Sequence, residues 1–293
     1  MTTTVSTETT PTTVASPPVT GLRSRADVAR LKVTGWRVAR SEWSKFASLK
    51  SSWITILAAV VVIVGFAVLA TAVTSGDVAG PPGGGGGGGQ MASDPTSLSL
   101  AGASLAQIIL GILGILVISG EYSSGMIRAT LAAVPRRLPV LWGKAAVIGL
   151  VSLVVSVPSV LIAFFLGQAI LGDGANVSFS DDGVAQAVLG TGAYLAAVAL
   201  LGVALGALLR NAAGAIGALF VLLLLAPSLL GLVLPSSWED SILPYLPSNA
   251  GAAFTSVVPT DGLLSTGGGA AVLVAWIVVL LGAAAVLIKR RDA

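Results

Sequence analysis

The chain has 293 residues, 55% of them hydrophobic and 10% charged, with a mean hydropathy of +0.93 and a formal net charge of +3. Soluble domains carry about 25% charged residues, so this is the composition of a membrane protein. There is no Cys and no His, which excludes disulfides, most zinc sites, and Ser-His-Asp or Cys-His catalysis.

Residues 1–22 are rich in Thr, Ser and Pro and read as a disordered tail. No basic segment followed by an apolar run occurs there, so a signal peptide is not expected. Residues 23–52 are basic, and Trp36, Ala39, Trp43 and Phe46 recur at helical spacing. That pattern predicts an amphipathic interfacial helix with Trp36, Trp43 and Phe46 set into the membrane surface.

Residues 53–293 predict an all-α membrane domain of six transmembrane helices. The spans cover about 53–74, 98–118, 145–171, 184–209, 212–234 and 269–288. Each reaches the roughly 20 residues a helix needs to cross the hydrocarbon core. Pro158 and Pro227 fall inside spans, where kinks are tolerated in membranes. Only Arg210 and Asn211 separate the fourth span from the fifth, which predicts a tight turn.

The charges orient the spans, because positive residues mark the cytoplasmic side. Arg23, Arg25, Arg30, Lys32, Arg37, Arg40, Lys45 and Lys50 precede span one. Arg128, Arg136, Arg137 and Lys144 follow span two, Arg210 follows span four, and Lys289, Arg290 and Arg291 follow span six. These are all 16 Lys and Arg of the chain. The loops after spans one, three and five carry only acids: Asp77, Asp94, Asp173, Asp181, Asp182, Glu239, Asp240 and Asp261. Six spans with both termini cytoplasmic therefore put every basic residue on one side. The positive balance is accounted for by topology, so no nucleic-acid partner is expected.

The first outer loop contains the glycine run Gly83 to Gly89. No Lys-Ser or Lys-Thr follows it, so it reads as a flexible linker rather than a phosphate loop. The loop from Pro235 to Gly268 is longer and less polar. Leu243 to Phe254 fits either short helices dipping into the outer leaflet or a plain surface loop. Gly202 to Gly206 and Gly214 to Gly217 are spaced for close helix packing. No ionisable residue lies deep in a span, which argues against a proton-coupled carrier or a charge-selective channel. The chain has no ATP site, no catalytic constellation and no expected cofactor, so it is not read as an enzyme.

The segment "SGEYSSGMIRATLAAVPRRLPVLWGK", Ser119 to Lys144, is the one sizeable cytoplasmic loop between spans. It predicts a turn near Gly125 and a short amphipathic helix over "MIRATLAAV" ended by Pro135. Arg136 and Arg137 then sit at the headgroup level, where they meet anionic membrane lipids. A turn of three residues would suffice to fix topology, so a loop of this length suggests a docking partner.

This loop resembles the one between spans two and three of ABC-2-type transporter permeases, closest to those of actinobacterial exporters. "SEWSKFASLKSSW", "ALGALLRNAAGAIGALF", "YLPSNAGAAF" and the basic "KRRDA" end resemble the same family in order and spacing. The resemblance runs from about Ser41 to the end; the glycine run and the Thr-rich tail depart from it. It implies a permease in the cell (plasma) membrane that pairs with a second permease subunit, a homodimer being the expected form. It also implies two copies of a cytoplasmic ABC ATPase subunit. By resemblance, the N-terminal helix and the loop after span two face the ATPase, with Glu121, Tyr122, Gly125, Arg128 and Arg136 as coupling positions. The implied activity is export, and the uncharged spans favour a hydrophobic or amphiphilic cargo. The alternative is a non-transporting membrane protein that recruits or regulates a partner complex.

Overall fold

In hydrocarbon every backbone N–H and C=O needs an internal partner, which long apolar runs achieve by coiling into helices. The computed structural model describes residues 34–76, 94–127, 130, 138–172, 175–257 and 262–290. The described residues from Gly35 onward form one compact unit. The helices, in chain order, are α1 (Gly35–Ser48), α2 (Lys50–Ser75), α3 (Pro95–Ser99), α4 (Ala103–Ser123) and α5 (Leu138–Leu171). They continue with α6 (Val184–Leu209), α7 (Ala212–Val233), α8 (Ser236–Ile242), α9 (Pro247–Thr255) and α10 (Thr266–Arg290). No strand occurs among the described residues. Six of these, α2, α4, α5, α6, α7 and α10, are long and apolar enough to cross a membrane.

The boundaries differ from the expected ones where capping chemistry intervenes. The predicted helix over 23–52 is helical over Gly35–Ser48, stops at Leu49 in an extended conformation (φ −88°, ψ 112°), and resumes as α2. Residues 23–33 of that prediction lie outside the described residues. Span two starts at Ala103, not near 98, because Leu98 belongs to the short α3. Asp94 caps α3 by accepting from the Thr96 and Ser97 N–H groups, and Pro95 opens it, where its missing N–H costs nothing. Gly102 joins α3 to α4. A Cβ there would lie 2.5 Å from the carbonyl oxygens of Val62 and Ile63, so only glycine lets the chain press onto α2. Span three begins at Leu138, ahead of the expected 145, with Pro139 in its first turn.

The two span prolines act differently. Pro158 sits inside a continuous α5. Ahead of Pro227, the stretch Val221–Leu225 of α7 is π-helical. Proline removes an N–H and crowds the carbonyl four residues back. A locally wider turn accommodates both.

Helix α6 is the hub, packing along α4 and α5. The α4–α6 crossing is backbone against backbone. A Cβ on Gly202 would lie 2.1 Å from the Gly111 carbonyl oxygen, and one on Gly114 2.1 Å from that of Ala199. Leu110, Ile148, Val160, Phe164, Leu195 and Leu201 fill the core around the hub. Helix α7 is the most peripheral span, burying only Ala215, Leu219 and Leu223. The segment after it is not a plain surface loop. It forms α8, a 3₁₀ turn (Leu243–Tyr245) and α9. Helix α9 buries Pro247, Ala250, Gly251 and Phe254 between α6 and α10.

Candidate functional site

Helix α1 has one buried stripe, Val38, Glu42 and Phe46, at the four-residue spacing of a helical face. The predicted aromatic face therefore divides. Trp36 and Trp43 are exposed, whereas Phe46 is buried and packs near the Trp43 and Trp53 rings, 6.2 Å from each by centroid. Trp53, at the start of α2, donates its indole N–H to the Ala47 carbonyl at 3.0 Å. Exposed tryptophans on α1, at the start of α2 and at Trp142 in the first turns of α5 suit a membrane interface.

The middle residue of the buried stripe carries a charge. Glu42 is 4% exposed, and it meets two other buried ions: Glu121 in the last turn of α4 (4% exposed) and Lys144 in the second turn of α5 (2% exposed). Lys144 Nζ donates to Glu121 Oε1 at 2.7 Å and to Glu42 Oε2 at 2.5 Å. Lys45, one turn beyond Glu42 on α1, donates to Glu42 Oε1 at 2.8 Å and Glu121 Oε1 at 2.9 Å. Its third contact is Thr130 Oγ1, at 3.2 Å. The four side chains form a closed ring of alternating sign. An isolated ion at this depth would cost several kcal/mol of desolvation, and the alternation is what makes the site tolerable. Glu121 Oε2 is buried and has no hydrogen-bond partner among the described residues.

Lys45 is the ring member nearest solvent. Burial alone would pull its ammonium down, but its hydrogen bonds to Glu42 and Glu121, with their negative charge, outweigh that. Its pKa is raised above the ordinary 10.5.

Of the other predicted coupling positions, Tyr122 lies beneath Arg210, whose guanidinium carbon is 5.1 Å from the ring centroid, a cation–π geometry. Arg210 ends α6 in a left-handed conformation (φ 53°), and its N–H bonds the Gly206 carbonyl at 3.0 Å. The contact ties the turn between spans four and five to the end of span two. Gly125 has φ +70°, a conformation that disfavours side chains, and the chain turns there. Arg128 and Arg136 lie outside the described residues, as does Arg137. So does most of the short helix expected over "MIRATLAAV", apart from Met126, Ile127 and Thr130.

The resemblance singles out Glu121, but nothing in the sequence reading pairs it with Glu42, Lys45 and Lys144. Hydropathy and charge placement treat Lys45 and Lys144 alike, as topological charges. A signal was available: Glu42 and Glu121 are acids embedded in the two segments that carry most of the positive charge. The ring joins helix α1 to the end of α4 and the start of α5.

The family model described as "ABC-2 family transporter protein" matches residues 39–226, well over half of the chain and every member of the ring. No curated protein matches the chain. A six-span, all-helical chain matched over that length belongs to the ABC-2 transporter family.

Proposed function

We propose that the chain is the permease subunit of an exporter in the cell membrane, driven by a separate cytoplasmic ATPase and moving a hydrophobic or amphiphilic compound. The observation that carries this reading is the buried ring of Glu42, Lys45, Glu121 and Lys144. A partner that pushes on α1 or on the loop after α4 pushes on both at once, because the two share one set of ion pairs. Such a joint suits transmission of movement from an ATPase to α4 and α5. Glu121, Tyr122, Gly125, Arg128 and Arg136 are then the loop side of the coupling surface, and α1 is its membrane-surface side, with Trp36 and Trp43 facing outward and Phe46 anchoring the helix to the bundle. The exposed apolar face of α7, with Phe220, Val221 and Leu229, is available to lipid or to a second permease subunit, a second copy of this chain being the simplest. An uncharged membrane interior suits a cargo that brings no net charge.

The test is copurification. A tagged chain expressed in its own host should bring down a P-loop ATPase, and ATP hydrolysis should appear in that complex and not in the isolated chain. Turnover of ATP at a transporter-like rate by the isolated chain would sink the permease reading.

A further inference from the structure

An apolar groove of about 470 Å³ runs between α6 and α10, with α9 behind it. Gly190, Ala193 and Ala197 line it from α6, and Ala270, Val274 and Ile277 line it from α10. Each set keeps the spacing of one helical face. At the mouth, in the first turns of the two helices, Gln186 Nε2 donates to Thr266 Oγ1 at 3.2 Å. Ala197 and Ile277, eleven residues further on in both helices, still line the same groove. The helices therefore run side by side in one direction, and the groove follows them for about 16 Å. Their far ends lie beside the ion ring, with Arg210 over Tyr122 and Ile288 next to Lys144 in the wall of a small void. The groove thus occupies the half of the bundle opposite the ring.

Its chemistry is set by where the polar groups are. Gln186 and Thr266 are the only polar side chains of the lining, and they are bonded to each other at the mouth. The body of the groove offers no hydrogen-bonding side chain and no charge. It stays open because Gly190, Ala193 and Ala197 bring too little bulk to fill it, while α9 is wedged behind. Phe254 and Leu273 form a buried floor, and Leu189 and Val274 are exposed at the rims. Two glycines let α9 take that place. A Cβ on Gly190 would lie 2.5 Å from the Phe254 carbonyl oxygen, and one on Gly269 2.4 Å from that of Ala250.

The surroundings of two membrane spans at this depth are hydrocarbon. A groove left empty there would cost its walls their contacts. Its dimensions decide what fills it. A volume of 470 Å³ spread over about 16 Å leaves a mean cross-section of about 30 Å², which a helix about 10 Å across would bridge without filling. One extended alkyl chain fits it.

We propose that the groove binds one straight acyl chain of a membrane phospholipid, in the leaflet opposite the ion ring, with the polar end of the lipid at Gln186 and Thr266. The preference for this place over the rest of the lipid-facing surface comes from contact on three sides, from α6, α10 and the Phe254 ring. It does not come from the hydrophobic effect, because a lipid tail is already in apolar surroundings. A chain that carries methyl branches is too wide to lie between the rims. The site does not rest on the exporter reading above.

The experiment uses the full chain in nanodiscs of diphytanoylphosphatidylcholine, whose chains are branched. A trace of dipalmitoylphosphatidylcholine carrying a photoreactive diazirine in mid-chain is the probe, and labelled peptides are mapped by mass spectrometry. About ten additional atom contacts correspond to roughly a tenfold preference, so labelling at 193–197 and 270–277 should exceed that at the exposed Leu150 and Val154 of α5 by about that factor. In nanodiscs of unlabelled straight-chain dimyristoylphosphatidylcholine the excess should disappear, because the bulk lipid then competes. Ala193→Leu combined with Ala270→Leu fills the groove and should abolish the excess. Both residues are exposed, so the fold is not disturbed. Ala271→Leu, exposed on α10 outside the lining, should keep it. Equal labelling of the groove and α5 in the branched lipid, or an excess that survives the filled variant, would overturn the proposal. So would cross-linking of two copies through a cysteine replacing Val274 with the groove unlabelled, since a second copy would then cover it. Copurification of an ATPase bears on the exporter reading alone.

Discussion

Lys144 Nζ lies 2.7 Å from Glu121 Oε1 with both side chains buried, so the start of one membrane span is pinned to the end of the one before it. The same ammonium reaches Glu42 on the helix that precedes the first span. Three elements far apart in the chain therefore share one buried cation. The energetic consequence is asymmetric. Truncating one partner of such a site leaves an uncompensated charge and costs about 3–5 kcal/mol, whereas replacing the whole site with neutral groups is often close to neutral.

Lys144→Met is accordingly expected to destabilise the chain by about that amount. Combining it with Glu42→Gln and Glu121→Gln should restore much of the loss, since Lys45 is partly exposed and can turn to water. SDS-driven unfolding in mixed micelles reads both. A single variant as stable as the parent would mean that the ring contributes nothing to holding these elements together.

The stability contribution of Lys45 should depend on pH in one direction only. Its pKa is higher in the folded chain than the ordinary 10.5 of the unfolded one. The favourable contribution is therefore complete below about pH 10.5 and is lost as the pH rises through the folded value. Unfolding curves of the parent and of Lys45→Met should keep a constant gap from neutral pH upward, then converge in strongly alkaline solution. A gap that instead opened on acidification would point to a different group.

The helix crossings separate two glycine pairs that look alike in sequence. Gly202→Ala places a methyl group against the Gly111 backbone and should abolish monodisperse protein on size exclusion. Gly217→Ala meets nothing within 4 Å and should be tolerated, with a gain of up to about 1 kcal/mol in helix propensity. Loss of fold in Gly217→Ala would show that this face of α7 is buried against something beyond the single chain.

Orientation is open to direct labelling, because the chain has no native Cys. A cysteine replacing Ser180 should react with an impermeant maleimide in intact cells. Cysteines replacing Ser124 or Asn211 should react only after permeabilisation. Reaction of the Ser124 variant from outside would reverse the expected orientation and rule out the proposed coupling role of the loop that follows.

Much of the architecture was determined by local properties of the chain. Number, type and approximate length of the spans follow from uninterrupted apolar runs, since lipid leaves the backbone no alternative to a helix. Val184–Leu209 begins and ends where its apolar run does, with Gly183 in a left-handed conformation before it and Arg210 after it. Boundaries shifted where capping outweighed hydropathy. Leu98 is apolar, yet Asp94 and Pro95 start a separate short helix there, and Gly102 turns the chain against α2.

What only the tertiary structure decided is which residues of similar local appearance meet. Gly202 lies in a close crossing and Gly217 does not, a difference set by the neighbour each helix face has rather than by spacing. Tyr194 and Gln107, set far apart in sequence on α6 and α4, become one hydrogen-bonded pair in a cavity wall. Lys144 looked like one more positive residue marking the cytoplasmic side. Folding buries it between two carboxylates, 102 and 23 positions away in the chain, because an ion removed from water must find its counter-ion wherever packing supplies one.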